Sequence, residues 1–295
     1  MELEFIKMQL AGRDMILVDA ARHPSLGDGF LAAGAGAALD RRRGVGADAL
    51  VLVTSDPEHE LEVRCFTARG VEEEPTLHEL ICAGRYGIDS GLASGTTTRA
   101  RGKLRSVVLD ALDSRSLLAD VGVPLREDAR ELVESPDIAY TRTARLDGRD
   151  FTYTPLYVGP FQAVTFVPSF DIDIPRLSKA FRREVLIPAG PSEASLPDPA
   201  QLTYARVSSR RRLLTRTWRF GHGETQSEGY AAAAAAVAAT LHGFTDRDSI
   251  VAARGGELYV TWSEANNRLY VTGTPEYVFT GTYSMSERRE GGQAV

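Results

Sequence analysis

One carboxylate stands where a predicted helix begins, and its position suits proton transfer. Glu228 follows the glycine-rich turn that starts GHG, and it precedes the alanine-rich segment from Gly229 to His242, a strong helix former. A helix N-terminus stabilises negative charge, whereas burial raises the pKa of a carboxyl group. Together the two effects predict a base that works near neutral pH. The alternative is a glutamate that only complements the helix dipole, and the residues alone leave both interpretations open.

Thr76 opens the other predicted helix, which runs to Ser90. An unactivated hydroxyl is too weak an acid to carry protons, but it can hydrogen-bond a substrate or hold a water molecule. The alternative is a simple helix cap, because Glu79 completes a T-x-x-E capping box three residues later.

These two helix starts belong to a repeated unit. A strand ends at Phe66 and another at Trp218, a glycine-containing turn follows each, and the helices open at Thr76 and Glu228. Strand ends and helix starts are both separated by 152 positions. The spacing favours a duplicated architecture of two strand–turn–helix halves.

Most of the remaining chain predicts short strands. Apart from the helix at Thr76, the first 125 residues read as β-rich runs, and a second series of strands follows. A short helix is predicted from Ile174 to Val185, and residues 188–200 predict an exposed loop. The end of the chain predicts two hairpins, IVAAR-GG-ELYVTW and NNRLYVTG-TP-EYVFTGTYSM.

Composition excludes several classes of protein. The 295 residues are 43% hydrophobic and 25% charged, which is typical of a globular protein. A net charge of −6 argues against a nucleic-acid binder. No secretory signal is visible, and the longest apolar run, Tyr230 to Leu241, is too short to cross a membrane. We therefore expect a soluble cytoplasmic protein with no nucleic-acid or membrane partner.

Neither metal, dinucleotide nor disulfide chemistry is indicated. The five histidines are scattered, so no metal-ligand spacing occurs, and the G-x-G of RRGVGAD does not open a helix after a strand. Cys65 lies in a predicted strand and Cys82 about two turns inside a predicted helix. We expect both to be buried structural thiols.

Five segments together resemble one enzyme family. They are KMQLAGRDMILVDA (7–20), RRRGVGADALVLV (41–53), FTARG (66–70), GPFQAVTFV (159–167) and GHGETQSEGYAAAAAAVAA (221–239). The chain resembles the diaminopimelate epimerase family, within the wider group that includes proline racemases and the phenazine-biosynthesis isomerase.

The resemblance implies an α/β (α+β) fold of two pseudo-symmetric halves, each a curved mixed sheet wrapped around a central helix. The N-terminal half would span residues 1–122 with a returning C-terminal strand at 276–295, and the C-terminal half residues 123–275. The substrate site would lie in the cleft between the halves, and a homodimer is implied.

Family chemistry is cofactor-free and uses one cysteine at each central helix N-terminus. Here the first cysteine motif falls on Thr76-Leu77-His78-Glu79, and the second on Glu228-Gly229-Tyr230-Ala231, so both cysteines are absent. A four-residue insertion would move the first motif to Leu80, with Arg85 meeting the family arginine, and would still give no cysteine.

Positions that bind the amino-acid substrate in the family have changed as well. The substituted positions are Arg13, Ala49, Thr67, Gly159-Pro160-Phe161 and Arg219-Phe220. These changes argue against diaminopimelate as the substrate.

The replacements suggest a different set of contacts. Arg13 and Arg219 are candidates to bind a substrate carboxylate, as is Thr67 by its place in the motif. Gly229 would allow close approach of the backbone. The candidate second acids are His78, His222 and Tyr230. For the arginines, the histidines and the tyrosine, surface or packing roles are the alternative.

A single competent base suits elimination, a double-bond shift, tautomerisation or a cyclising isomerisation. The resemblance supports this, because relatives with threonine in place of one cysteine act as dehydratases and the phenazine isomerase uses a carboxylate. We therefore expect a cofactor-independent isomerase or lyase in specialised biosynthesis, acting on a small anionic metabolite with Glu228 as base. The alternative is an inactive family member that binds a ligand or partner, which a site filled by Phe161, Phe220 and Tyr230 would favour.

Overall fold

The structure, a computed structural model, describes residues 1–56, 60–126, 140–187 and 200–284. Internal contacts divide the chain into two compact units. Unit 1 comprises Met1–Leu117 with Thr274–Val295, and unit 2 comprises Leu118–Gly273. The predicted exposed loop at 188–200 lies outside the described residues except for Ala200, which is buried.

Unit 1 is a mixed sheet with one helix against most of its strands. Its elements are β1 (Glu2–Leu10), β2 (Arg13–Asp19), α1 (Asp28–Leu39), β3 (Ala49–Asp56), β4 (Glu60–Phe66), β5 (Glu72–Glu73), α2 (Leu77–Ser90), β6 (Thr97–Arg101), β7 (Ser106–Ala111) and β18 (Glu276–Ser284). Pairing runs in the order β18-β1-β2-β3-β4-β6-β7, with β2–β3 and β4–β6 parallel. Helix α2 contacts six of these strands, which places it inside the curve of the sheet.

Unit 2 repeats this arrangement. Its elements are β8 (Leu117–Gly122), β9 (Arg142–Leu146), β10 (Arg149–Tyr157), β11 (Phe161–Phe166), α3 (Ile174–Phe181), β12 (Gln201–Ser209), β13 (Arg212–Arg219), β14 (Gly223–Glu224), α4 (Gly229–Leu241), β15 (Asp248–Ala253), β16 (Gly256–Trp262) and β17 (Leu269–Gly273). Pairing runs β9-β10-β11-β12-β13-β15-β16-β17-β8, with β11–β12 and β13–β15 parallel. Helix α4 contacts strands β10–β13 and β15–β17.

The composition of the two central helices explains why they lie inside the sheets. Every residue of α4 is buried, and most of them are alanines, whose small side chains let strands approach on all sides. In α2, eleven of fourteen residues are buried. The predicted fold of two pseudo-symmetric halves, each a curved mixed sheet around a central helix, is confirmed. The 152-residue repeat is also confirmed, because α2 starts at Leu77 and α4 at Gly229.

Helix α1 was not predicted, because its sequence DGFLAAGAGAAL has little amphipathic pattern and is rich in glycine. The glycines serve close packing. A Cβ at Gly36 would lie 2.6 Å from the carbonyl oxygen of Ala68, and Gly70, at φ +74°, would place a Cβ 2.2 Å from that of Ala32. Helix α1 therefore supports the turn that follows β4.

One predicted hairpin is wrong and two other elements are confirmed. Strand β17 pairs with β16, whereas β18 pairs with β1, so the Thr274-Pro275 link does not form a hairpin turn. A two-residue hairpin turn needs residues that tolerate positive φ, and neither threonine nor proline does. The hairpin of β15 and β16 is confirmed, as is the helix at Ile174, which continues as a π-helical turn, Arg182–Leu186.

Among the described residues, no helix is both long enough and apolar enough to span a bilayer.

Candidate active site

In unit 2, a glycine turn brings Glu228 to the start of α4. After β13, Gly221 and Gly223 adopt φ values of +88° and +92°, and the short β14 pairs back onto β13. Glu228 is the N-cap residue of α4 and is only 3% exposed. The first N–H groups of a helix stabilise negative charge at this position. A buried carboxylate is therefore present at the start of α4, where the sequence predicts it.

Three polar side chains occupy neighbouring strands beside Glu228, and we call Gln162, Gln201 and Arg219 the polar row. Gln162 pairs in register with Gln201 across β11–β12, and Gln201 with Arg219 across β12–β13. Their exposures are 0%, 2% and 3%. Paired residues on adjacent strands have Cβ atoms about 5 Å apart and share one face of the sheet. Glu228 joins this row, because Nε2 of Gln201 donates a hydrogen bond to Glu228 Oε2 at 3.4 Å.

Sequence reasoning identified Arg219 and Glu228 but missed both glutamines. A signal was available, since Gln162 and Gln201 are polar residues near the starts of predicted strands, each directly before an apolar residue. Such residues are uncommon in buried strands unless a polar partner is present.

Tyr230 and Gly229 lie in the first turn of α4, and both are buried. Gly159, at φ +65°, packs so closely on Tyr230 that an added Cβ would lie 2.7 Å from its ring. A glycine is required there, so the Gly159-Pro160 turn holds Tyr230 by contact with its ring. His222 lies in the turn after β13 and is exposed, so it is not enclosed with Glu228.

Phe161 and Phe220, the two phenylalanines that could have filled the site, have aromatic packing partners. Phe220 stacks on Phe181 of α3, with ring centroids 6.3 Å apart. Phe161 packs edge-on against Tyr157 at 5.5 Å and borders the same apolar cluster as Phe220. Both rings therefore pack against the apolar cluster that contains Phe181 of α3.

In unit 1, the start of α2 carries a connected set of polar contacts. Thr76 is the N-cap, and Glu79 Oε2 accepts hydrogen bonds from its backbone N–H, at 2.6 Å, and from its hydroxyl. Arg13 Nε donates to Glu79 Oε1 at 2.6 Å. Glu79 is fully buried and the Arg13 side chain is 13% exposed. The capping-box alternative for Thr76 is thus observed, and Arg13 forms a buried ion pair with Glu79.

Burial keeps His78 and Cys82 in their neutral forms. The pKa of His78 is lowered to about 3, mainly by burial and also by the positive charge of Arg13, while Glu79 opposes the shift. Burial, followed by the negative charge of Glu79, raises the pKa of Cys82 well above its usual value. Cys65 is buried too, so the prediction of two buried thiols is confirmed. Thiolate chemistry is therefore disfavoured at Cys82.

Thr67 lies in the turn that α1 supports. Its hydroxyl donates to the Val71 carbonyl at 3.3 Å, and Gly70 N–H donates to the Thr67 carbonyl at 2.9 Å. The threonine is therefore part of the turn's own hydrogen bonding. Among the residues for which the structure gives coordinates, no group of three or more His, Cys, Asp or Glu side chains could hold a metal ion.

Known proteins share this fold. A phenazine biosynthesis protein of the PhzF family from Bacillus anthracis superposes with a TM-score of 0.64 at 16% identity, covering 96% of this chain and 99% of that one. A methylitaconate-delta-isomerase superposes with a TM-score of 0.62 at 12% identity, covering 100% and 98%. At these identities the likeness establishes the fold.

The fold of two strand–helix halves is the one that these solved structures share. The diaminopimelate epimerase of Desulfovibrio desulfuricans is 31% identical over 293 residues, which cover 95% of this chain and 98% of that enzyme. This chain belongs to the diaminopimelate epimerase family. No family model matches it.

Proposed function

We propose that the chain is a cofactor-independent isomerase or lyase in which Glu228 removes a proton from carbon in a small anionic metabolite. The observation that carries the proposal is the buried carboxylate at the start of α4, 152 positions after the equivalent Thr76 at the start of α2. A base in this position gains from the helix N-terminus and from exclusion of water. Arg219, which is buried at the end of β13, is proposed to bind the substrate anion.

The start of α2 supports a single-base reaction. Thr76 and Arg13 are bound to Glu79, and His78 is neutral with a pKa of about 3. Inversion by two opposed acid–base groups would need a second group that exchanges protons near neutral pH. Elimination, a double-bond shift or a cyclising isomerisation needs only one acid–base group. We propose this group of reactions rather than epimerisation of diaminopimelate, with a role in specialised biosynthesis.

Hydrogen exchange at carbon tests the proposal directly. The protein is incubated in D2O with a panel of small acids that includes diaminopimelate, methylitaconate and proline, and with a metabolite extract, and deuterium incorporation is followed by mass spectrometry. We expect incorporation into at least one acid, and Glu228→Gln to slow it by about 10²–10⁴-fold.

Glu224→Gln is the matched control, because Glu224 lies in the same turn but pairs with Arg216 at 2.6 Å. Undiminished exchange in Glu228→Gln would remove this residue from the mechanism. If no acid in the panel or the extract exchanged, the alternative of an inactive family member that binds a ligand or partner would be favoured. The homodimer predicted from the sequence stays a prediction.

A further inference from the structure

We propose that Gln162 and Gln201 form a substrate-specificity site for a hydroxyl or amino group, so that the substrate is a hydrogen-bond donor as well as an anion. The proposal rests on the function proposed for Glu228, because the amide of Gln201 contacts that carboxylate.

The contacts of the two amide nitrogens fix the orientation of both side chains. Gln201 Nε2 faces the carboxylate of Glu228, and Gln162 Nε2 faces the carbonyl oxygen of Val158, each at 3.4 Å. Both partners accept hydrogen bonds only, so an amide rotated by 180° would place oxygen against oxygen. The amide oxygens Oε1 therefore point away from these partners.

Those two oxygens are buried acceptors without a donor. Neither Gln162 Oε1 nor Gln201 Oε1 accepts a hydrogen bond from any residue that the structure describes. Leaving a buried acceptor unpaired is unfavourable, and natural proteins rarely do so outside functional sites. Two such acceptors on register-paired residues are a stronger indication than one.

The location of the pair connects it to Glu228. Along β13 the buried residues alternate with partly exposed ones, and Thr217 and Arg219 share the buried face. Thr217 and Thr203, on the neighbouring strands β13 and β12, are hydrogen-bonded to each other through their hydroxyls at 3.1 Å. The unpaired amide oxygens lie instead near the start of β12, where Gln201 contacts Glu228, the N-cap residue of α4.

The chemistry of these groups defines the ligand. Amide oxygens attract O–H and N–H groups and repel carboxylates, so a donor on the substrate fits beside the amides while its anionic group fits beside Arg219. A site built to bond a donor discriminates strongly against an analogue that lacks it, because the buried acceptors then stay unpaired. The structure thus points to a hydroxy or amino acid in preference to a plain hydrocarbon acid.

The first test needs no substrate. Replacing Gln162 by methionine, which has similar volume, removes an unpaired acceptor and only one long hydrogen bond. We expect Gln162→Met to raise the midpoint of thermal unfolding of the ligand-free protein by about 2–4 °C. Thr203→Val is the matched control in the neighbouring row and should lower the midpoint, because Thr217 loses its partner. A midpoint that is unchanged or lowered in Gln162→Met would assign the amide a structural role and overturn the proposal.

The second test uses any acid found by hydrogen exchange. We compare that acid with an analogue that lacks its hydroxyl or amino group. For the wild type, kcat/KM should be at least a hundredfold lower with the analogue, and for Gln162→Met the difference should be much smaller. An acid without such a donor that exchanges equally well would contradict the proposal while leaving the function of Glu228 intact. Conversely, loss of the role of Glu228 would appear in Glu228→Gln and not in the unfolding midpoint of Gln162→Met.

Discussion

Protonation of His78 should destabilise the protein in mild acid. The ring is 1% exposed within α2, and burial together with Arg13 lowers its pKa from 6.5 to about 3. The unfolded chain therefore takes up the proton first as the pH falls. The stability contributed by the neutral ring is complete above pH 6.5 and is lost progressively between pH 6.5 and pH 3.

The magnitude follows from the shift of the pKa. Each pH unit within that window costs about 1.4 kcal/mol for a single group, so His78 alone should lower the free energy of unfolding by about 2 kcal/mol between pH 7 and pH 5. Carboxylates with lowered pKa values, such as Asp14 at about 2, add to acid sensitivity only at lower pH.

Urea unfolding at pH 7 and pH 5 measures this dependence. His78→Gln should remove most of the difference between the two pH values, whatever its effect on absolute stability. His242→Gln provides the comparison, because burial also lowers the pKa of His242, which is only half-buried, and so its contribution should be smaller. An unchanged pH dependence in His78→Gln would refute the account of a buried neutral imidazole.

Three further perturbations test other parts of the structure. Arg13→Met should destabilise the protein by about 3–5 kcal/mol in urea unfolding, because it removes the cation paired with the buried carboxylate of Glu79, and a loss below 1 kcal/mol would contradict that pairing. Gly70→Ala should cost clearly more than Gly91→Ala, since both have positive φ but only Gly70 would also clash with backbone, and equal losses would argue against the close packing. The Cys82→Ala variant should retain hydrogen exchange at carbon, and the thiol of the native protein should resist alkylation at pH 8. Loss of activity on this substitution or on alkylation would indicate a role for sulfur.

Much of the fold was predictable because its signals are local and repeated. The strand end, turn and helix start recur after 152 positions, and both helices begin where their N-cap residues Thr76 and Glu228 indicate. Helix α1 was missed because glycine and alanine leave no amphipathic pattern, and its stability comes from packing against the turn at Gly70. The partner of β18 was given by the family resemblance and not by the local sequence, which suggested a hairpin.

The site was predictable only in part, because its contacts join residues far apart in sequence. The position of Glu228 followed from the helix start, and its burial is observed. The pairing of Arg13 with Glu79 spans 66 positions, and nothing local distinguishes a salt bridge from a substrate contact. Gln162 and Gln201 become neighbours only through the parallel pairing of β11 and β12.

The fate of the abstracted hydrogen tests the central claim most directly. In this experiment, an acid that exchanges is labelled with deuterium at the reacting carbon, and its isomerisation is run in H2O. A single carboxylate that removes and then returns the hydrogen can transfer part of the label to the product. We predict measurable return of label in the wild type, and loss of both turnover and return in Glu228→Gln. Complete washout of the label, with turnover surviving in Glu228→Gln, would contradict the assignment of Glu228 as the base.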